Sequence, residues 1–198
     1  MAINAVAQQG AFSSPDNRFR IGAWVAVAAI AMFFTSLSSA YVVRGLPAPD
    51  WQPLQMPRVL LFSSLLILIS SITLELARRS VRRADGRDKS LLLLTGVLGI
   101  GFLGAQFAAW RQLAHQGIFL ASNPHSSFFY LLTAMHGLHL MVGLVALAYL
   151  TLRSWGSPEG TVLRASRAAA ADGMAIYWHF MAGLWIYLFL LLFVWKSI

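Results

Sequence analysis

The stretch Phe128-Phe-Tyr-Leu-Leu-Thr-Ala-Met-His136-Gly137-Leu138-His139-Leu-Met-Val-Gly143-Leu-Val-Ala-Leu-Ala-Tyr-Leu150 contains no Asp, Glu, Lys or Arg. A helix needs about 20 mostly apolar residues to cross a bilayer, so this run predicts a membrane span. Into it the chain places two imidazoles, His136 and His139, three residues apart. Ionisable groups are costly in lipid and by default point to a functional site there.

Four further windows have the same character: Ile21–Val43, Val59–Leu76, Leu91–Trp110 and Ile176–Trp195. The last carries a third imidazole in Tyr177-Trp178-His179-Phe180. The predicted fold is therefore all-α, a polytopic membrane protein built as a five-helix transmembrane bundle. Composition agrees: 58% of residues are hydrophobic, only 11% are charged, and mean hydropathy is +0.66. A soluble domain carries about 25% charged residues. Residues 1–20 form a polar N-terminal segment without the apolar core or cleavage site of a signal peptide. Residues 21–198 form the membrane domain, leaving no room for a soluble one.

The formal net charge of +8 does not point to nucleic acid, because the basic residues are segregated. With the N-terminus cytoplasmic, Arg18, Arg20, Arg78, Arg79, Arg82, Arg83, Arg87, Lys89, Arg153, Arg164 and Arg167 fall inside, and Arg44, Arg58, Arg111 and Lys196 fall outside. This positive-inside bias predicts a cytoplasmic N-terminus and a periplasmic C-terminus. Arg78, Arg79, Arg82 and Arg83 are candidates for contact with anionic lipid headgroups. Trp51, Trp110 and Trp195 at one boundary, and Trp24 and Trp155 at the other, match two aromatic belts.

The chain has no cysteine, which excludes disulfides, Cys-ligated zinc, iron–sulfur clusters, thiolate copper and covalent c-type haem. Of the seven acids only Glu75 falls within a predicted span, near its cytoplasmic end, where Arg78 and Arg79 are its helical neighbours. No carboxylate or basic side chain occupies the middle of a span. Ion-coupled pumps and transporters carry such groups along their path, and bundle di-iron sites need several inward glutamates.

The link Arg44–Arg58, with Pro47, Pro49, Pro53 and Pro57, predicts an extended outer loop, and Ser122-Asn123-Pro124 a turn. The alanine-rich stretch before Ala175 predicts a short interfacial helix. Gly101, Ala105 and Ala109 recur every four residues, a spacing that lets helices approach closely. Ser63, Ser64, Ser70, Ser71 and Thr73 offer hydroxyls for bonds between helices.

Three readings of the span histidines stand open from the residues alone. They are neutral polar joints hydrogen-bonded between helices, with Gly137 and Gly143 giving a neighbour close access. They are ligands, with His136 or His139 and His179 holding a b-type haem. Or they relay protons or meet lipid headgroups. Depth weighs against haem. At about 1.5 Å per residue, His139 lies roughly 17 Å below the outer end of its span and His179 about 5 Å above the inner end of its own. In a core about 30 Å thick that is an offset of roughly 8 Å. His115 and His125 are predicted to be solvated in the outer loop.

Taken together, the ordered motifs resemble subunit III of the haem-copper respiratory oxidases. They are Phe33-Phe34 with Ala40-Tyr41 and Arg44; Ser70-Ser71-Ile72-Thr73-Leu74; Gln106 with Trp110; Gly117; Ser122-Asn123-Pro124-His125-Ser126-Ser127-Phe128-Phe129; Thr133 and His136-Gly137-Leu138-His139; Gly143-Leu144; and Tyr177-Trp178-His179-Phe180 with Trp185. The resemblance implies a bacterial plasma-membrane subunit without its own redox centre, in a complex whose haem and copper lie in partner subunits. It implies packing against subunit I and other oxidase subunits, bound phospholipid, support of proton uptake, and protection of subunit I during turnover to water. His136, Gly137, His139, Gly143, Tyr177, Trp178, His179 and Phe180 then serve as an interhelical structural motif, with no catalytic, cofactor or metal residue in this chain. The electron donor, cytochrome c or quinol, would bind another subunit.

The form is the short, five-helix one, lacking the two helices that precede the first shared helix in many relatives. Ile30, Ala109 and Ala182 occupy positions often acidic in the family. Two other functions compete: a subunit III-like accessory protein of a nitric oxide reductase, and an independent haem-b electron carrier.

Overall fold

A computed structural model of the chain describes residues 15–46, 57–83, 85–156 and 161–193. Residues 1–14, Pro47, Pro49 and Pro53 of the proline-rich link, Trp51, and Trp195 with Lys196 lie outside the described residues. The described residues form five helices: α1 Pro15–Gly45, α2 Val59–Arg83, α3 Asp88–His115, α4 Pro124–Gly156 and α5 Thr161–Phe193. Each is long and apolar enough to cross a membrane, and the described residues contain no strand. The five-helix, all-α expectation holds.

The helix ends differ from the apolar windows. α1 starts at Pro15, within the segment expected to precede the first span, and α4 runs on to Gly156. Hydropathy reports the thickness of lipid to be crossed, whereas a helix continues until a breaker stops it. The largest difference is at α5, a single helix from Thr161. The alanine-rich stretch is its first turns and not a separate interfacial helix. Alanine is the best helix former, and Ala169 and Ala171 are buried against the bundle.

The turns are set by local chemistry. Gly86 (φ +76°) and Gly117 (φ +75°) adopt the left-handed backbone that favours glycine after α2 and α3. The Gly117 N–H donates to the Ala114 carbonyl at 3.0 Å. Asn123 caps α4 reciprocally with Ser126. Asn123 Oδ1 accepts from the Ser126 N–H at 2.9 Å, and Ser126 Oγ accepts from the Asn123 N–H at 3.2 Å. Pro124 takes the first helical position, where its missing N–H costs nothing.

Neighbouring helices run in a ring, α1–α5–α2–α3–α4 and back to α1, with α4 and α5 also touching across the middle. Large side chains fill the interior: Trp178, Trp185, Tyr41, Phe34, Phe102 and Phe129 are all fully buried.

Candidate functional site

One face of α2 carries a ladder of hydroxyls turned inward, with Ser63, Ser64, Ser70 and Thr73 buried beside Ile67 and Leu74. Each hydroxyl engages another helix. Gln106 Nε2 of α3 donates to Ser63 Oγ at 2.8 Å. The indole N–H groups of Trp185 and Trp178 on α5 donate to Ser64 Oγ at 2.9 Å and Ser70 Oγ at 3.0 Å. Ser70 Oγ donates onward to the Thr95 carbonyl of α3 at 3.2 Å, and Thr73 meets the Thr95 hydroxyl at 2.9 Å. An indole N–H is only a donor and a serine oxygen readily accepts. Two tryptophans two turns apart on α5 thus find two serines nearly two turns apart on antiparallel α2.

Trp178 also wedges between two glycines. A Cβ at Gly99 of α3 would fall 3.1 Å from its ring, and one at Gly143 of α4 would fall 2.8 Å from Tyr177 Cε1 and 3.4 Å from Trp178. Gly143 therefore gives close access, as its place in the motif suggests. Gly137 does not, because a Cβ there would make ordinary contact with Leu103 at 3.6 Å. Tyr177 donates its hydroxyl to the His139 carbonyl at 2.7 Å, tying α5 to α4. Phe180 is half-buried beside Phe34 and Leu184 at the α1–α5 seam. Sequence reasoning missed Gly173, where a Cβ would lie 2.9 Å from the Phe19 carbonyl oxygen and hold α1 off α5.

The three histidines do three different things. His136 is fully buried among the rings of Phe34, Phe102 and Trp185, at centroid distances of 6.4, 5.8 and 5.4 Å. It makes no hydrogen bond to the described residues, contrary to the expected interhelical bond. His139 lies against Phe33 and Phe34 of α1, and its Nδ1 contacts the Met135 carbonyl of its own helix at 2.7 Å. His179 does bond across helices, Nδ1 to Ser71 Oγ of α2 at 2.5 Å, with Nε2 3.6 Å from Glu75 Oε2.

His139 faces α1 while His179 faces α2, so they do not oppose each other across a haem-sized gap. The expected depth offset is also too large. Gly143 packs beside Tyr177 and Trp178, which sets His139 and His179 only about 4 Å apart in height at about 1.5 Å per residue. Lateral placement, not depth, separates the pair. His136 and His139 share one helix and cannot sandwich a macrocycle. Among the described residues no group of three His, Asp or Glu side chains is arranged to hold a metal ion.

His125 is also not solvated. It is buried in the first turn of α4 with Nε2 3.2 Å from the Leu192 carbonyl and its ring beside Tyr41, because α4 begins earlier than the apolar window. His115, at the end of α3, is exposed as expected.

The basic end of the bundle holds an ion cluster. Glu75 accepts two bonds from Arg78 and one from Arg79, all at 2.8 Å. Asp172 of α5 receives Arg78 at 3.3 Å and Arg82 at 2.5 Å. Sequence reasoning placed Asp172 outside the predicted spans and missed this clamp. The signal was an acid on the helix that runs antiparallel to the arginine-rich end of α2. Of the four arginines proposed to meet headgroups, Arg78, Arg79 and Arg82 are thus paired internally, although Arg79 and Arg82 stay more than half exposed. Arg83 is exposed at the helix end. In the following turn, the Ser80 hydroxyl and the Arg87 N–H hold the Asp85 carboxyl below its ordinary range. Ile30, Ala109 and Ala182 are all buried in the apolar core, so the interior has no carboxylate at these points.

Fold and site define a class first: a polytopic helical membrane protein whose interior polar groups lock helices to one another. Comparison with known proteins narrows the class. The Cytochrome c oxidase subunit III family profile matches residues 16–197, and the chain belongs to that family. It is 27% identical over 192 residues to a probable cytochrome c oxidase subunit 3 of Nocardia farcinica, covering 94% of this chain and 92% of that one. It is 28% identical to a cytochrome c oxidase subunit 3 of Bacillus sp. strain PS3 (93% and 89% covered) and 26% identical to quinol oxidase subunit 3 of Bacillus subtilis (90% and 88%). It is a multi-pass protein of the bacterial plasma membrane, a subunit III of the haem-copper oxidases.

Proposed function

We propose that the chain is a non-catalytic membrane subunit that packs against subunit I, stabilises it during oxygen reduction to water, and holds lipid at its surface. The observation that carries this reading is the family match across all five helices, combined with an α2 hydroxyl ladder that joins α3 and α5. In this reading haem and copper reside in partner subunits. Residues 21–198 act as one membrane domain, and the basic end bearing Arg78–Arg83 faces the cytoplasm. Lipid headgroup contact falls mainly to the exposed Arg79, Arg82 and Arg83, because Arg78 is held between Glu75 and Asp172.

The test is purification of the tagged full-length chain in gentle detergent. Co-purification with a haem-bearing, oxygen-reducing partner is the expected result. Recovery of the chain alone, or with a nitric oxide reductase, would sink the assignment.

A further inference from the structure

Four buried side-chain atoms among the described residues have no hydrogen-bond partner: Ser38 Oγ, Gln106 Oε1 and the two ring nitrogens of His136. These three residues come from three helices, and the contacts around them place them at neighbouring levels of the bundle. The Trp110–Thr133 bond (3.1 Å) joins α3 to α4 one turn above Gln106 and His136, and the His136 ring itself touches Phe102, one turn below Gln106 on α3. Gln106 and His136 therefore lie within about one turn of the same height on facing helices. Trp185, which touches both Phe102 and His136, docks on Ser64 next to the Ser63 that receives Gln106. Ser38 lies one turn beyond Phe34, whose ring touches His136, towards the end where Tyr41 meets His125. A helical side chain leans towards the N-terminus of its own helix, which for His136 is that same end.

We propose that Ser38, His136 and Gln106 bind water at the centre of the bundle. Water bridges would give each of the four unpartnered atoms a partner. The Ser38 hydroxyl donates towards the acceptor nitrogen of a neutral imidazole, and the imidazole N–H donates towards Gln106 Oε1. Gln106 Nε2 donates to Ser63 Oγ, and Ser63 donates to the Leu60 carbonyl at 2.9 Å. Water is the ligand class the site takes, because the gaps join single donors to single acceptors inside walls that are otherwise aromatic. A buried water typically makes two to four such bonds, and unmade ones are costly. The hydrated line crosses from α1 through α4 and α3 to α2. It gives His136 a fixed tautomer and a role as a polar joint.

The test does not depend on which complex the chain joins. The full-length chain, with whatever partner it retains, carries Gln106→Met, His136→Phe or both. Each single change should lower the unfolding midpoint by about 2–4 °C, the shift expected of one strained polar group in a chain this size. The double variant should lose less than the two single losses added together, because the gap between positions 106 and 136 is then apolar on both sides and the Ser38 hydroxyl alone lacks a partner. Additive losses, or neutral single variants, would overturn the proposal. Should His136→Phe fail to fold, solid-state NMR of ¹⁵N-histidine-labelled chain in bilayers decides. A neutral buried imidazole with a water cross-peak, altered by Gln106→Met, is expected, and a buried imidazole N–H with no contact to water would refute the site.

Discussion

The seam between α2 and α5 and the seam between α3 and α4 solve the same packing problem with different chemistry. α2 and α5 meet through serine, tryptophan, histidine and ionic pairs: Ser64–Trp185, Ser70–Trp178, Ser71–His179 and the Arg78–Asp172 clamp. Towards the basic end, α3 and α4 are flanked by a groove lined by Leu92, Val97, Ile100, Val145, Leu147 and Leu152. In lipid, apolar contact does not drive helices together as it does in water, so packing and directional bonds must fix their partners and register. The polar seam carries that specification, and the apolar side chains of the groove offer no directional bond.

The largest effect should come from Trp178→Ala. It removes the side chain that bonds Ser70 and fills the space between Gly99 and Gly143, and deleting a buried aromatic typically costs about 3–5 kcal/mol. Detergent or thermal unfolding measures it. A loss below about 1 kcal/mol would mean that the seam does not hold the bundle.

Next is Gly143→Val, which drives new atoms into Tyr177, already 2.8 Å from where a Cβ would stand. Overpacking of this kind costs about 1–3 kcal/mol. Gly137→Ala, with ordinary contact at 3.6 Å, should be close to neutral in the same assay. Equal losses at the two glycines would contradict the geometry.

Ser64→Ala should cost about 0.6 kcal/mol and no more than about 1.7, the range for one interhelical bond in a membrane. Val145→Leu, in the apolar groove, should stay within about 0.5 kcal/mol. If the groove substitution outweighed the serine substitution, the contrast between the two seams would fail.

Much of this fold is legible in the sequence, because five apolar windows of bilayer length leave few alternatives. Helix ends are not, since hydropathy cannot see α5 continuing from Ala175 back to Thr161 through a less apolar stretch. The α2 serines read as polar groups available for bonding, but their partners depend on which helix lies beside α2, and that is a property of the ring order. Asp172 and Glu75 show the same gap. They lie 97 positions apart in the chain and meet only because α5 runs antiparallel beside α2, where both engage Arg78. His136 reads as a polar group that needs a partner, yet the structure encloses it in aromatic rings, which no spacing rule predicts.

The central claim is that the membrane histidines shape the subunit and do not handle electrons. The direct measurement is on the purified oxidase complex carrying His139→Leu with His179→Ala. The account predicts that haem per subunit I and the initial rate of oxygen reduction stay at wild-type levels, while the fraction of complexes retaining this chain falls. Loss of haem, or abolished electron transfer with the chain fully retained, would contradict it.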